Sequence, residues 1–268
     1  GAIHMLHSFH KVAADKLEAA ELAIKAGIDL EAPSAWGYEM LDSLVALGRV
    51  SMDQIDQAVS RILYVKFISG LFDHPFVDES KMEEYIHIPA HIALAKKMAD
   101  ESIVLLKNDN NLLPLDKTKI RSIALIGPNA DQVQFGDYTW SRDNKDGLTV
   151  KEGIEMVTEG KIKINYAKGC DLVTLDESGI PAAVQDVIKS DVSVVVLGSS
   201  SASLARDYSN ATMGEGFDLS DIRLTGNQEE LVKAVYETGT PTIVVLINGR
   251  PLSVRWIAEK VPAIVEAW

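Results

Sequence analysis

A single cysteine, Cys170, stands in a chain of 268 residues, which excludes an internal disulfide and any cysteine-based metal cluster. Positive charge is also scarce: 26 Lys and Arg face 39 Asp and Glu, a formal net of −13 with pI near 4.9. Nonspecific attraction to nucleic acid or to an anionic membrane surface needs the opposite sign, so neither is expected as a partner. No apolar run approaches the ~18–20 residues that span a bilayer, and the greasiest stretches, 192–197 and 242–247, have strand length. Position 1 carries no Met and no signal-peptide pattern follows. The opening Gly1-Ala2-Ile3-His4-Met5 and the close Val265-Glu266-Ala267-Trp268 read as interior sequence, so a processed piece or fragment is expected.

What is present is ordinary for a globular chain, at 47% hydrophobic and 24% charged residues, enough for one large core or two smaller ones. Residues 12–26 place Leu17, Ala20, Leu22, Ala23 and Ala26 on one helical stripe closed by Gly27. Ile28-Asp29-Leu30 fits a short buried strand followed by a loop through Pro33. Helices are expected over 38–47 and 52–68, the latter capped at Ser51. Residues 71–91, with Pro75 and Pro89 and no sustained period, read as an extended connection, and helical spacing returns over 91–102 before an apolar strand at 103–108.

From there strands at 122–126, 161–166, 192–197, 242–247 and 263–266 alternate with helices at 150–158, 181–190 and 227–238. Such alternation implies an α/β fold with a mainly parallel sheet covered on both faces. Ligands in open sheets of this kind gather beyond the carboxyl ends of strands, which directs attention to loops 127–146 and 198–225.

Glu215, between Gly214 and Gly216 and followed by Phe217, is the sharpest feature of the second loop. Small neighbours free the backbone to project one carboxylate into a cleft beside an aromatic, where it can work as a general acid. A solvated turn acid fits Gly-Glu-Gly alone better, and Asp207, Asp218 and Asp221 are further acids of the same loop, alternatives to Glu215. Neither Gly-x-Gly-x-x-Gly nor Gly-Lys-Ser/Thr follows any strand, so a nucleotide site has little support. His4, His7 and His10 recur every third residue but rotate around a helix without a nearby carboxylate, and no metal or cofactor is expected. Cys170 fits a small buried filler better than a nucleophile. Trp36 and Tyr38 fit a sugar-stacking platform or plain packing.

Taken in order, Ala26-Gly27-Ile28-Asp29-Leu30, Arg61-Ile62-Leu63 with Lys66-Phe67 and Gly70-Leu71-Phe72, Glu101-Ser102-Ile103-Val104-Leu105-Leu106-Lys107-Asn108 with Leu112-Leu113-Pro114-Leu115, Ile126-Gly127-Pro128-Asn129-Ala130-Asp131, Gly136-Asp137-Tyr138, Gly214-Glu215-Gly216-Phe217-Asp218 and Leu246-Ile247-Asn248-Gly249-Arg250-Pro251-Leu252 resemble the family 3 glycoside hydrolases, the β-glucosidase and β-xylosidase group. The resemblance runs from end to end. It implies the end portion of a triosephosphate-isomerase-type (β/α) barrel over 1–73, a linker over 74–92 and an α/β sandwich over 93–268, incomplete at its carboxyl end. In that family the active site lies between the two domains.

The implied activity is removal of β-linked sugars from non-reducing ends by a retaining mechanism with two carboxylates. Glu215 matches the acid/base motif, and Asp207 and Asp218 are the implied substrate-binding residues. The nucleophile, an Asp in a Ser-Asp-Trp-type motif, is expected just upstream of Gly1, because Gly1-Ala2-Ile3 matches the tripeptide that follows it. The 268 residues alone are therefore expected to be inactive. Implied partners are β-linked glucosides, xylosides or oligosaccharides and the rest of the barrel; a secreted or periplasmic location is implied, with the targeting segment outside the chain. The chain departs from the family with Gly198-Ser199 in place of Gly-Glu and Leu224-Thr225-Gly226 in place of Leu-Pro-Gly. Two other readings remain: a noncatalytic carbohydrate-binding or interaction module on the same fold, and a flavodoxin-like signalling or nucleotide domain, which leaves residues 1–73 unexplained.

Overall fold

The structure, a computed structural model, describes residues 2–139, 147–201 and 211–268. The candidate Asp207 lies outside the described residues. The chain divides into two compact units, Gly1–Ile88 and Pro89–Trp268.

The first unit is helical: α1 (Ala2–Ser8), α2 (Lys16–Lys25), α3 (Leu41–Ala46), α4 (Met52–Ile68) and the single turn α5 (Met82–Tyr85). Helix α2 starts at 16 rather than 12 because Asp15 accepts the Glu18 N–H at 2.8 Å while the Glu18 carboxylate accepts the Ala14 N–H at 2.7 Å. Ser51 and Gln54 close a capping box that starts α4. Ala20 and Ile24 of α2 pack on Leu44, Val50 and Ala58, and Ile3 of α1 packs on Ala19 and Ala23. The expected strand at residues 28–30 does not form. Ile28 and Leu30 are 47% and 63% exposed, and among the described residues no neighbouring strand takes their backbone groups. Residues 71–91 are not wholly extended either, because Asp78 accepts the Ser80 N–H and starts a short turn of 3-10 helix leading into α5. Of α4, only Ala58 is buried; Tyr64, Val65, Phe67 and Ile68 lie in the open.

The second unit is the α/β body. Helix α6 (Pro89–Ser102) leads into β1 (Val104–Asn108), followed by β2 (Ser122–Ile126), α7 (Val150–Thr158), β3 (Lys163–Ala167), α8 (Ile180–Ile188), β4 (Val192–Gly198), α9 (Gln228–Tyr236), β5 (Thr242–Ile247), α10 (Arg255–Lys260) and β6 (Ala263–Glu266). The six-stranded sheet runs β1-β6-β5-β4-β2-β3, parallel except for β1, which lies antiparallel to β6. Every residue of β4 is buried, which is why that strand is apolar apart from Ser193 and does not alternate; the Ser193 hydroxyl is bonded to Thr242 Oγ1 at 3.0 Å.

Crossover direction decides which face each helix covers. The chain steps outward from β2 to β3 through α7, then back past β2 to β4 through α8. A fixed right-handed crossover places those two helices on opposite faces. Ile154 of α7 accordingly packs with Leu125, Val194 and Val196, while Val187 of α8, Leu231 of α9 and Ile257 of α10 pack with Ala124, Val195 and Leu197. Fully burying a side chain of this size contributes about 1.5–3 kcal/mol over leaving it in water. The reversal leaves a crevice between the carboxyl ends of β2 and β4, the switch point of a doubly wound sheet.

Candidate functional site

Strand β4 ends at Gly198, whose φ of +130° and close approach to β5 leave no room for a side chain: a Cβ there would fall 1.9 Å from the Ile247 carbonyl oxygen. The fully buried Gln228, at the start of α9, caps this end with its amide. Its Oε1 accepts the Gly198 N–H at 2.9 Å, and its Nε2 donates to the carbonyls of Gly198, Thr225 and Leu172 at 3.0, 3.1 and 3.3 Å. Thr225 donates to the Leu172 carbonyl at 2.6 Å, a hydrogen bond that a proline at this turn could not make.

Ser199, Ser200 and Ser201 continue buried from β4. Asn129 of the β2 loop donates to the Ser199 carbonyl at 3.2 Å, joining the two loops that border the crevice. The chain returns beside this segment at residue 212: Thr212 N–H donates to Ser200 O at 2.9 Å, and Thr212 Oγ1 accepts the Ser200 N–H at 3.0 Å. Residues 213–218 follow directly, so the Gly-Glu-Gly segment stands at the carboxyl end of β4.

Two neighbouring loops hold it. From the β2 side, Asp137 Oδ2 accepts the Glu215 N–H at 2.6 Å, Asp137 Oδ1 accepts the Ser201 hydroxyl, and the Tyr138 hydroxyl donates to Glu215 Oε2. Tyr138 adopts φ +63°, a left-handed conformation unusual for a side chain of its size. From the β5 side, Gly249 N–H donates to Met213 Sδ at 3.0 Å and Arg250 Nη2 donates to the Phe217 carbonyl at 2.6 Å. A groove of about 600 Å³ opens here, lined among others by Asp137, Ser201, Phe217, Asp218 and Arg250.

Glu215 itself is exposed, so among the described residues no apolar pocket encloses its carboxyl group, in contrast to the expected shielding by Phe217. What the site supplies instead is a phenolic hydrogen bond to one oxygen of an open carboxylate, leaving the other side accessible to a ligand. Asp218 is exposed and lines the groove; Glu215 stands at its edge, next to the lining Gly214, and Asp221 is paired with Arg223 at 2.5 Å. Asp137 is committed to the loop's own N–H and hydroxyl groups. Buried Arg250 Nε and Asn248 Oδ1 have no hydrogen-bond partner among the described residues.

The remaining sequence candidates take structural roles. Burial pushes the Cys170 thiol up to about 12, which keeps it protonated and unreactive at neutral pH. His4 stands edge-on to Trp36, with ring centres 4.6 Å apart, and His7 Nδ1 lies 3.2 Å from the Ala13 carbonyl. Tyr38 donates its hydroxyl to the Ile28 carbonyl, so both aromatics of the possible stacking platform carry packing contacts. Sequence reasoning assigns Asp137, Tyr138, Gln228 and Arg250 no role of their own; the Gly136-Asp137-Tyr138 and Asn248-Gly249-Arg250 motifs are the signals that point to two of these loops.

Residues 103–268 match the glycosyl hydrolase family 3 C-terminal domain. A β-xylosidase of Formosa agariphila is 40% identical over 98% of this chain and 37% of its own length. The periplasmic β-glucosidase of Salmonella typhimurium is 31% identical over 97% of the chain and 36% of its own length. Among solved structures, a β-glucosidase from Listeria innocua in complex with isofagomine superposes with a TM-score of 0.85 at 32% identity, over 100% of this chain and 36% of that one. The chain thus spans about a third of the length of the relatives it matches.

Proposed function

Because the chain belongs to glycosyl hydrolase family 3, we propose that it is the carboxyl-side part of a β-glycosidase that removes single β-linked glucose or xylose units from the non-reducing ends of small glycosides and oligosaccharides. Glu215 is the general acid/base. It protonates the departing glycosidic oxygen, then takes a proton from the water that releases the sugar. The nucleophile is an aspartate of a barrel segment preceding Gly1, which attacks the anomeric carbon and holds the sugar as a covalent glycosyl-enzyme. Asp207 and Asp218 bind sugar hydroxyls.

One observation carries this reading: at the sheet's switch point an exposed carboxylate, that of Glu215, is held through its own backbone N–H and by a phenol. Proton transfer to a leaving oxygen needs an accessible acid in fixed position, and an oligosaccharide needs the open groove beside it. Further support comes from the uncovered apolar residues of α4 and the unpaired segment 28–30, which suit a chain that packs against the rest of a barrel. The relatives' lengths agree.

The test uses the enzyme with its barrel. Glu215→Ala is expected to lower kcat/KM on an alkyl β-glucoside or β-xyloside by ~10²–10⁴, while the 2,4-dinitrophenyl glycoside, whose leaving group needs no proton, stays near wild type. Near-normal hydrolysis of the alkyl glycoside by Glu215→Ala, with Asp207→Ala inactive, would move the acid/base role to Asp207. Sugar binding without any turnover in the intact wild-type protein would favour the noncatalytic module.

A further inference from the structure

We propose that Asp137 is a positioning residue for Glu215, acting through the Glu215 backbone to fix where its carboxyl group stands; the proposal rests on the acid/base reading of Glu215. The problem it solves is local. Glu215 lies between Gly214 at φ +122° and Gly216 at φ +79°, two hinges that leave the peptide at 215 without intrinsic conformational restraint. A general acid on such a segment needs an external brace, because a misplacement of ~1 Å costs roughly 10²-fold in rate.

Asp137 is that brace. Its Oδ2 accepts the Glu215 N–H at 2.6 Å, a short charge-assisted hydrogen bond on the residue that carries the acid. Its Oδ1 accepts from Ser201, which is 1% exposed and bridged to Met213 at the root of the same loop. The missing side chain of Gly214 makes room: a Cβ there would fall 2.8 Å from Asp137 Oδ2 and 3.0 Å from Oδ1. The next residue, Tyr138, then brings its hydroxyl to Glu215 Oε2. Consecutive residues of the β2 loop thus hold the backbone and the carboxylate of one residue 78 and 77 positions away in sequence.

The experiment compares Asp137→Ala, Asp137→Asn and Glu215→Ala in the enzyme with its barrel, on an alkyl glycoside and on the 2,4-dinitrophenyl glycoside of the same sugar. A misplaced acid slows only the reaction that needs protonation. Asp137→Ala is expected to lose about 10²-fold in kcat/KM on the alkyl glycoside and no more than about threefold on the dinitrophenyl one. On the dinitrophenyl glycoside kcat and KM should fall together, because the glycosyl-enzyme accumulates when water is poorly activated. Asp137→Asn keeps one acceptor oxygen and should recover part of the loss; if the alanine variant does not fold, the asparagine variant carries the same comparison. Equal losses on both substrates, or none, overturn the proposal, since a merely structural role lowers both alike. If Asp137→Ala lacks the asymmetry while Glu215→Ala shows it, the positioning role alone falls. A Glu215→Ala variant without the asymmetry overturns the acid/base reading and the positioning role with it.

Discussion

Replacing Gln228 with methionine keeps the volume and removes the contacts that its amide makes at the end of β4. The wild-type side chain is fully buried and satisfies one N–H and three carbonyl groups, those of Gly198, Leu172 and Thr225. No water can replace an amide at that depth, so the Gly198 N–H is left unpaired, at about 1–3 kcal/mol, and three carbonyls each lose a donor. Carbonyls with a second lone pair engaged elsewhere lose less than an orphaned N–H, so the sum comes to roughly 3 kcal/mol. With m near 2 kcal/mol/M, the urea midpoint of the Pro89–Trp268 unit should drop by about 1.5 M with m unchanged. Hydrogen exchange of the β4 amides, read as a function of urea, follows that unit selectively, and the Gly198 amide should lose protection first. A midpoint shift below about 0.3 M would refute the reasoning, because the amide would then carry no net part of the load.

Glu266 is 6% exposed with Oε1 unpartnered, and burial raises its pKa. The folded chain therefore keeps that proton at pH values where the unfolded chain has released it, so stability falls as pH rises above the ordinary carboxylate range. Glu266→Gln should be more stable than wild type at pH 7, with the advantage gone below about pH 4 in thermal unfolding; an advantage independent of pH would contradict this. The 268 residues alone should give no β-glucosidase or β-xylosidase turnover, and a rate abolished by Glu215→Gln would contradict that.

Much of the α/β body is legible in the sequence because its strands are buried on both faces. The run Val192 to Leu197 has no polar partner face to alternate with, and the surrounding helices are punctuated by Gly239 and Pro241. Helix starts at Ser51 and Thr149 follow from capping side chains three residues from their targets. Short elements are less legible: α1 and α10 contain seven and six residues, too few for a periodic stripe. Residues 28–30 have strand composition without a strand, since pairing is a property of the neighbour and not of the segment. At the site, Gly-Glu-Gly stands out locally, whereas Asp137 acts across 78 residues and Gln228 acts through an amide that any helix surface could carry. Only the order of the strands brings those groups to one crevice.

Azide supplied to the Glu215→Ala enzyme, assembled with its barrel and given a 2,4-dinitrophenyl β-glycoside, tests the central claim most directly. Azide needs no general base, so it should attack the trapped glycosyl-enzyme and restore kcat, and NMR should show the product as the β-glycosyl azide. A rate indifferent to azide, or an azide product of α configuration, would contradict Glu215 as acid/base of a retaining double displacement.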